Sequence, residues 1–378
     1  MLIILLPFLS SCWNQTEIDR LAIVTTTGVD YTRNGKIMMS VEVIVPRSVS
    51  SGSYGSTGGG RSGGNTKIVR SASGETIASA MANLQKKFPR KLFLGQNEVL
   101  VIGKSMAKHG ILGQFDFISR QPEARLGIFP FYFDGSAKKM LAVNPPLEVN
   151  LTNVLKNEAL LEVKKNLTAN DILQTMGSEA AVAILPWIHM NEDNSAPFIK
   201  GRAIFKNGRL IGTAGPTLTK GIIWVRNEIK QTTIDIQLPG DKRKLASSLI
   251  KSKTKITPVK VNGKWVMKVN VKIIDDIVEN KTSKDLGNPK IISMVQTAVQ
   301  NKVKRNIEKA LAKAQNDWKA DIFGFNEIFH QKYPKEWEKQ NRRWNQFFTK
   351  LTFDTNVHVK IERTGLNSSP PGIPRKGR

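Results

Sequence analysis

Three Asn-Gly pairs constrain the fold of this chain more than any other feature of its sequence. They are Asn34-Gly35, Asn207-Gly208 and Asn262-Gly263, and each separates two runs with the composition of β-strands. A two-residue turn of type I′ needs a positive φ at both central positions, which Asn and Gly adopt at little cost. Each pair therefore predicts a β-hairpin, one in the first half of the chain and two in the second.

Strands and helices alternate through the first half of the chain. The Gly/Ser-rich stretch at 47–66 is expected to be a flexible loop, and a short strand and a helix from about Glu75 to Phe88 follow it. Further strands flank a predicted helix over Ser105–Ser119, and another helix is predicted near Thr168–Met176. This alternation is typical of an α/β domain.

The second half combines hairpins with one long amphipathic helix, predicted from about Pro289 to Lys319. Apolar residues recur along it at spacings of three and four, which marks one buried face: Val295, Val299, Val303, Ile307, Leu311 and Ala314. The aromatic-rich segment 323–348 follows, and its helical spacings favour a packed face.

A polar run, NEDNSAP, places the predicted domain boundary near Asn194. The expected fold is α/β (mixed α+β) and multi-domain, with mixed sheets and flanking helices. An N-terminal α/β domain takes residues 12–194, and a hairpin-rich C-terminal domain with the long helix takes 195–378. The second domain has room for two subdomains, and it ends in a basic tail at 366–378.

The first eleven residues, MLIILLPFLSS, are apolar and end in small residues. This run is far shorter than the roughly 20 residues of a membrane-spanning helix, but it is typical of a signal peptide. It precedes Cys12, the only cysteine, and Leu9-Ser10-Ser11-Cys12 resembles the bacterial lipobox, in which the thiol is lipidated and the chain is cut before it. We therefore predict a signal peptide at 1–11 and lipidation at Cys12. The alternative is an incidental, buried cysteine.

An anchored chain would lie on the membrane without crossing it, because two acyl chains suffice for stable anchoring and no later run is long and apolar enough to span. The net charge is +26, from 57 Lys and Arg against 31 Asp and Glu, which favours anionic partners. Seven basic residues lie within Asp241–Lys260. No aromatic residues alternate with them, so the sequence favours a solvated basic surface beside anionic lipid or wall polymer over a nucleic-acid site.

Two glycine-containing motifs resemble nucleotide-binding loops only superficially. Gly58, Gly60 and Gly63 match G-x-G-x-x-G, but they stand in low-complexity sequence without the strand and helix that a dinucleotide site needs. Gly103-Lys104-Ser105 follows a strand, but Glu98 stands where a phosphate-binding loop has its first glycine. We interpret this segment as an ordinary helix start with Ser105 as its cap.

No spacing of acidic, histidine or serine residues predicts catalysis or metal binding. The four histidines, His109, His189, His330 and His358, are too far apart in sequence to form an H-x-x-x-H pair. Asp171, Asp275 and Asp276 are expected to be turn, cap or surface residues. We therefore predict a protein that is not an enzyme and has no catalytic residue, no cofactor and no metal site.

Several segments, taken in order, resemble the C subunits of spore germinant receptors, the GerAC-like or Ger(x)C lipoproteins. They are Cys12-Trp13 with EIDRLAIVTTTGVD, RKLFLGQNEVLVIGKSMAKHGI with DFISRQPEARLGIFPFYFDGSAKKML, GRAIFKNGRLIGTAGPTLTKGIIW, and DIFGFNEIFHQKYPKEWEKQNRRW with VHVKIERTG. The resemblance covers nearly the whole chain. It implies a multi-domain α/β protein, two integral membrane subunits (A and B type) as partners, the spore inner membrane as location, and a role in nutrient-triggered germination. It brings no catalytic residues and does not settle which subunit binds the nutrient. We expect the membrane subunits to bind it, so that this chain contacts the nutrient only indirectly.

Two other functions compete with that of a receptor subunit. A lipid-anchored solute-binding protein of a transport system would need a deep cleft between two similar α/β lobes, whereas the halves of this sequence look dissimilar. A cell-wall or lipid hydrolase would need a convergent acid/base pair or a metal site.

Overall fold

The computed structural model describes residues 20–45, 66–145, 148, 150–164, 167–177 and 180–365. Several predictions lie outside these residues: the signal peptide, the lipidation site Cys12, the glycine run at 58–63 and the basic tail. The predicted loop at 47–66 also lies outside them, apart from Thr66, which begins a strand.

The chain forms two compact units, one of residues 1–154 with 192–196 and one of residues 155–191 with 197–378. The domain boundary predicted near Asn194 stays a prediction. The boundary between the two units falls within helix α5 (Leu151–Glu162), a helix that was not predicted from the sequence.

The first unit is a mixed sheet with helices, as its alternating sequence predicted. Its elements are β1 (Leu21–Tyr31), β2 (Ile37–Val45), β3 (Thr66–Gly74), α1 (Ile77–Gln85), β4 (Lys91–Phe93), β5 (Val99–Gly103), α2 (Lys104–His109), α3 (Leu112–Arg120), β6 (Phe129–Phe133) and α4 (Ala137–Leu141). Within this unit the strand order is β3-β2-β1-β5-β6, and β4 pairs with the start of β1. The first three strands pair antiparallel, whereas β1, β5 and β6 run parallel.

Local sequence explains where these helices begin and break. The Thr76 side chain accepts the Ser79 amide in a capping box, and α1 buries Ile77 and Leu84. The single helix predicted over Ser105–Ser119 is instead two helices, α2 and α3. Gly110, with φ of 143°, separates them, because that backbone conformation cannot continue a helix.

Among the described residues, the second unit holds an antiparallel group of three strands, a four-stranded sheet and six complete α-helices. Its elements are α6 (Ala169–Met176), β7 (Val182–Met190), β8 (Pro197–Lys206), β9 (Arg209–Ala214), α7 (Pro216–Val225), β10 (Thr233–Gln237), β11 (Lys244–Val261), β12 (Lys264–Asn280), α8 (Pro289–Lys313), α9 (Phe325–Lys332), α10 (Pro334–Gln340), α11 (Trp344–Phe348) and β13 (Thr352–Arg363). Strands β7, β8 and β9 pair antiparallel in that order. The second sheet has the order β10-β11-β12-β13, in which β13 is parallel to β12.

The long helix α8 packs its predicted stripe into the core of this unit. All six stripe residues are buried, and they share one apolar cluster with the inward faces of β12 and β13. The observed α-helix ends at Lys313, before the predicted end at Lys319, because residues Ala314–Trp318 form a π-helical turn. Lys319 follows in the left-handed conformation, which ends the helix. Within the described residues, no helix is both long enough and apolar enough to cross a membrane.

All three Asn-Gly hairpins are present, but only two have the predicted turn. Asn207 and Gly208 have φ of 50° and 75°, and Asn262 and Gly263 have 48° and 76°, as a type I′ turn requires. At the first hairpin only Gly35 has a positive φ. There the connection spans residues 32–36, since the Thr32 hydroxyl accepts the Lys36 amide at 3.0 Å and closes a wider loop.

Candidate functional site

The carboxyl ends of β1, β5 and β6 meet at one edge of the first unit, the position at which parallel sheets usually bind ligands. Asp30, near the end of β1, is only 4% exposed at this edge. Its carboxylate accepts the amides of Ala137 and Lys138 at 3.0 and 3.1 Å and the Ser136 hydroxyl at 3.0 Å. Asp30 thus occupies the first turn of α4, so these amides are not free to hold an anionic ligand.

The position of the Asp30 carboxylate requires a glycine at residue 103. A Cβ atom at this position would lie 1.9 Å from the Asp30 carboxylate oxygen Oδ1. The glycine of Gly103-Lys104-Ser105 therefore makes room for an internal carboxylate, which agrees with the interpretation that this segment is not a phosphate-binding loop. The prediction that Ser105 caps the helix is wrong: Gly103 is the N-cap, and the Ser105 hydroxyl accepts the Tyr31 amide at 2.9 Å.

The histidines do not converge. His109 stacks on Tyr31, His189 contacts Phe198 edge-on, and His330 stacks on Trp337, while His358 is exposed on β13. In the part of the chain that the structure describes, no three His, Cys, Asp or Glu side chains are placed to hold a metal ion.

The three acidic candidates have different surroundings. Asp171 is a cap residue, as expected, since its carboxylate accepts the Thr168 amide at 2.9 Å at the start of α6. Asp276 lies 3.5 Å from the Arg363 guanidinium.

The prediction that Asp275 is a turn, cap or surface residue is wrong, because its side chain is fully buried on the core-facing side of β12. Its Oδ2 accepts the Ser247 hydroxyl at 2.8 Å, and its Oδ1 has no hydrogen-bond partner among the described residues. Burial, with a smaller contribution from the neighbouring charge of Asp276, raises the pKa of Asp275 to about 6. Ser247 opposes the shift. The strand alternation of β12 was the sequence signal for this burial.

A second buried carboxylate, Asp321, was not predicted at all. It is 3% exposed and accepts the Trp344 indole N–H at 2.8 Å and the amides of Phe323 and Asn326 at 3.1 and 2.8 Å. Burial raises its pKa, although these donors favour the charged form. Asp321 accepts hydrogen bonds from Phe323, Asn326 and Trp344 within the aromatic cluster of the C-terminal helices, so it has a structural role.

The aromatic segment is a packed face, as predicted. Phe325, Phe329, Trp344 and Phe348 are fully buried, and Tyr333 and Trp337 pack against them. The seven basic residues of Asp241–Lys260 are all exposed, which agrees with a solvated basic surface. The polar residues considered above therefore act in capping, turns and core packing, and they form no acid/base pair.

Fold and polar groups together define a two-unit, mixed α+β protein with a strongly basic surface. Two family models match the chain in order: "Spore germination protein N-terminal domain" over residues 14–190 and "Spore germination B3/GerAC like, C-terminal" over residues 200–365. The chain belongs to this GerAC-like family, that of the C subunits of spore germinant receptors, as its sequence segments indicated.

Relatives in Bacillus subtilis (strain 168) match over nearly their whole length. Spore germination protein KC is 24% identical, covering 97% of this chain and 95% of the relative. Spore germination protein A3 is 22% identical, covering 96% of each. The crystal structure of the GerBC protein aligns with a TM-score of 0.59 over 89% of this chain and 96% of that one, at 18% identity, which supports the predicted fold class.

Proposed function

We propose that this chain is a lipid-anchored, non-enzymatic C subunit of a spore germinant receptor, required for nutrient-triggered germination. The observation that carries the proposal is the ordered match to both family models over residues 14–190 and 200–365. Its partners would be integral membrane subunits of A and B type, and it would contact the nutrient only indirectly.

The proposed anchor is a diacylglyceryl group on the Cys12 thiol, at the outer face of the spore inner membrane. The family match begins at residue 14, two residues after this cysteine. A net charge of +26 would add electrostatic attraction to anionic head groups, to which each basic residue near the surface contributes about 1 kcal/mol. The two acyl chains of the anchor satisfy the requirement of two signals for stable membrane binding, and the charge adds to that binding.

The structural roles of Asp30, Asp171 and Asp321 support a binding function over catalysis. The first unit has parallel central strands, whereas the second pairs long antiparallel strands under α8. Because the two units have different topologies, they are not the two similar lobes expected of a solute-binding protein.

Replacement of the anchor tests the proposal. In spores that carry Cys12→Ala in place of the native chain, we expect the protein to leave the membrane fraction and nutrient-triggered germination to be lost. The matched control is Ser11→Ala, which keeps a small residue before the cut and should leave both properties unchanged. Mass spectrometry of the N-terminal peptide reports lipidation directly, and immunoblots verify equal protein levels. Normal membrane retention and normal germination of the Cys12→Ala spores would refute the proposal.

A further inference from the structure

A long groove lies on the second unit between α8 and the edge strand β10. It has a volume of about 760 Å³. One wall is the face of α8 from Ser293 to Lys309, and the other consists of β10 with Pro239 and Lys244. At about 1.5 Å per helical residue, the α8 wall is roughly 24 Å long. The groove can therefore hold about seven residues of an extended chain, at about 3.3 Å each.

This wall lies next to the core-packing face of α8, and its apolar residues Met294 and Ala298 are half-buried and pack in part against the core. The core stripe contains Val295, Val299 and Val303, whereas Met294, Ala298 and Lys302 recur one position away and line the groove. The same helix thus presents one apolar face to its own domain and a second, mixed face to the groove.

Positive charge dominates the lining. Four basic side chains, Lys244, Lys302, Arg305 and Lys309, line the groove with a single acidic residue, Asp235. The ammonium of Lys302 donates to the backbone oxygen of Asp235, so it is held against the edge of β10. Burial lowers the pKa of Lys302; nearby Lys220, Lys244 and Arg305 lower it further, and only Asp235 opposes them. A negatively charged occupant would relieve this repulsion.

The uncharged part of the lining distinguishes between anionic occupants. Amide and hydroxyl side chains alternate with apolar ones along the groove: Ser293, Thr297, Asn301 and Asn306 with Met294, Ala298, Ile236 and Pro239. A peptide brings backbone groups for the former and apolar side chains for the latter, in addition to carboxylates. A lipid head group or a polyphosphate could pair with the charges and accept hydrogen bonds from the amides and hydroxyls, but it would leave the apolar residues without a partner.

We propose that the groove between α8 and β10 binds an extended, acidic peptide segment of a partner protein. Carboxylates of the segment would lie opposite Lys302, Arg305 and Lys309, and its apolar side chains opposite Met294 and Ala298. This deepens the proposed receptor function, since it names the surface and the partner chemistry, and it rests on that function only for the partner's identity.

Fluorescence anisotropy with the purified full chain in detergent tests the inference. The probe is a fluorescein-labelled nonapeptide in which glutamate alternates with leucine or alanine, and a second probe has glutamine for glutamate. The groove variant is Lys302→Gln with Arg305→Gln and Lys309→Gln. The matched control, Lys290→Gln with Lys304→Gln and Lys313→Gln, removes the same charge from positions of the same helix that do not line the groove. Circular dichroism verifies that both variants fold.

We expect the groove variant to raise the Kd of the acidic peptide at least about tenfold, equivalent to about 1.4 kcal/mol, and the control variant by less than about twofold. The glutamine probe should bind as weakly to the native chain as the acidic probe binds to the groove variant. Equal weakening by both variants, or equal binding of both probes, would overturn the proposal. So would groove-dependent binding of phosphatidylglycerol vesicles or polyphosphate without binding of the peptide. None of these outcomes depends on Cys12 or on germination.

Discussion

Asp275 makes the stability of the second unit depend on pH in a direction opposite to that of most carboxylates. Its pKa is raised from 3.8 to about 6 by burial. The folded state therefore binds the proton more tightly than the unfolded state, and the stability from this group is complete below the unfolded pKa. It is lost as pH rises through about 6. A shift of about two units at about 1.36 kcal/mol each costs about 3 kcal/mol at neutral pH.

The variant Asp275→Asn removes this dependence while it keeps the size of the side chain. Asparagine is uncharged throughout, so any lost hydrogen bond affects its stability equally at each pH. We therefore expect the variant to gain stability relative to the native protein as pH rises. The difference between their free energies of unfolding, variant minus native, should increase by about 2–3 kcal/mol between about pH 4 and pH 8.

Urea unfolding followed by tryptophan fluorescence measures this difference, because all six described tryptophans lie in the second unit: Trp187, Trp224, Trp265, Trp318, Trp337 and Trp344. Glu362→Gln, at an exposed position of β13, is the control, and its difference from the native protein should change little with pH. If the difference for Asp275→Asn is the same at both pH values, the reasoning from burial is refuted.

Two further substitutions test packing in the second unit. Gly221→Ala in α7 should destabilise the protein by about 1–3 kcal/mol in thermal melts, because the new Cβ would lie 2.1 Å from the backbone oxygen of Asn306 in α8. Helix propensity alone predicts the opposite, a gain of about 1 kcal/mol in stability. A stabilised variant would therefore contradict the close approach of these helices. Trp344→Phe should cost at least about 1.5–3 kcal/mol in urea unfolding, because it removes the 2.8 Å hydrogen bond to Asp321. Trp337→Phe is its control, since the indole nitrogen of Trp337 has no partner among the described residues, and an equal cost for both would show that the hydrogen bond contributes nothing.

The closed edge of the first unit shows how a familiar ligand-binding position can serve the fold instead. The amides at the start of α4 donate to a carboxylate of the chain itself, that of Asp30, and Gly103 provides the space for it.

The sequence by itself determined the features that depend on neighbouring residues. The turns at Asn207-Gly208 and Asn262-Gly263 follow from the φ angles these residues adopt, and the buried face of α8 follows from its helical periodicity. Family membership was also readable, because it rests on the order of segments along the chain.

Only the tertiary structure decided the features that join distant segments. Strand β13 pairs parallel to β12 although α8 to α11 lie between them, and no local signal encodes that pairing. The burial of Asp275 and Asp321 depends on helices and strands that pack over them, so their residue types misled or gave no signal. The groove exists because α8 lies beside the edge of β10. Helical spacing places Lys302, Arg305 and Lys309 on one face of α8, and only the fold brings Lys244 and the β10 wall to them.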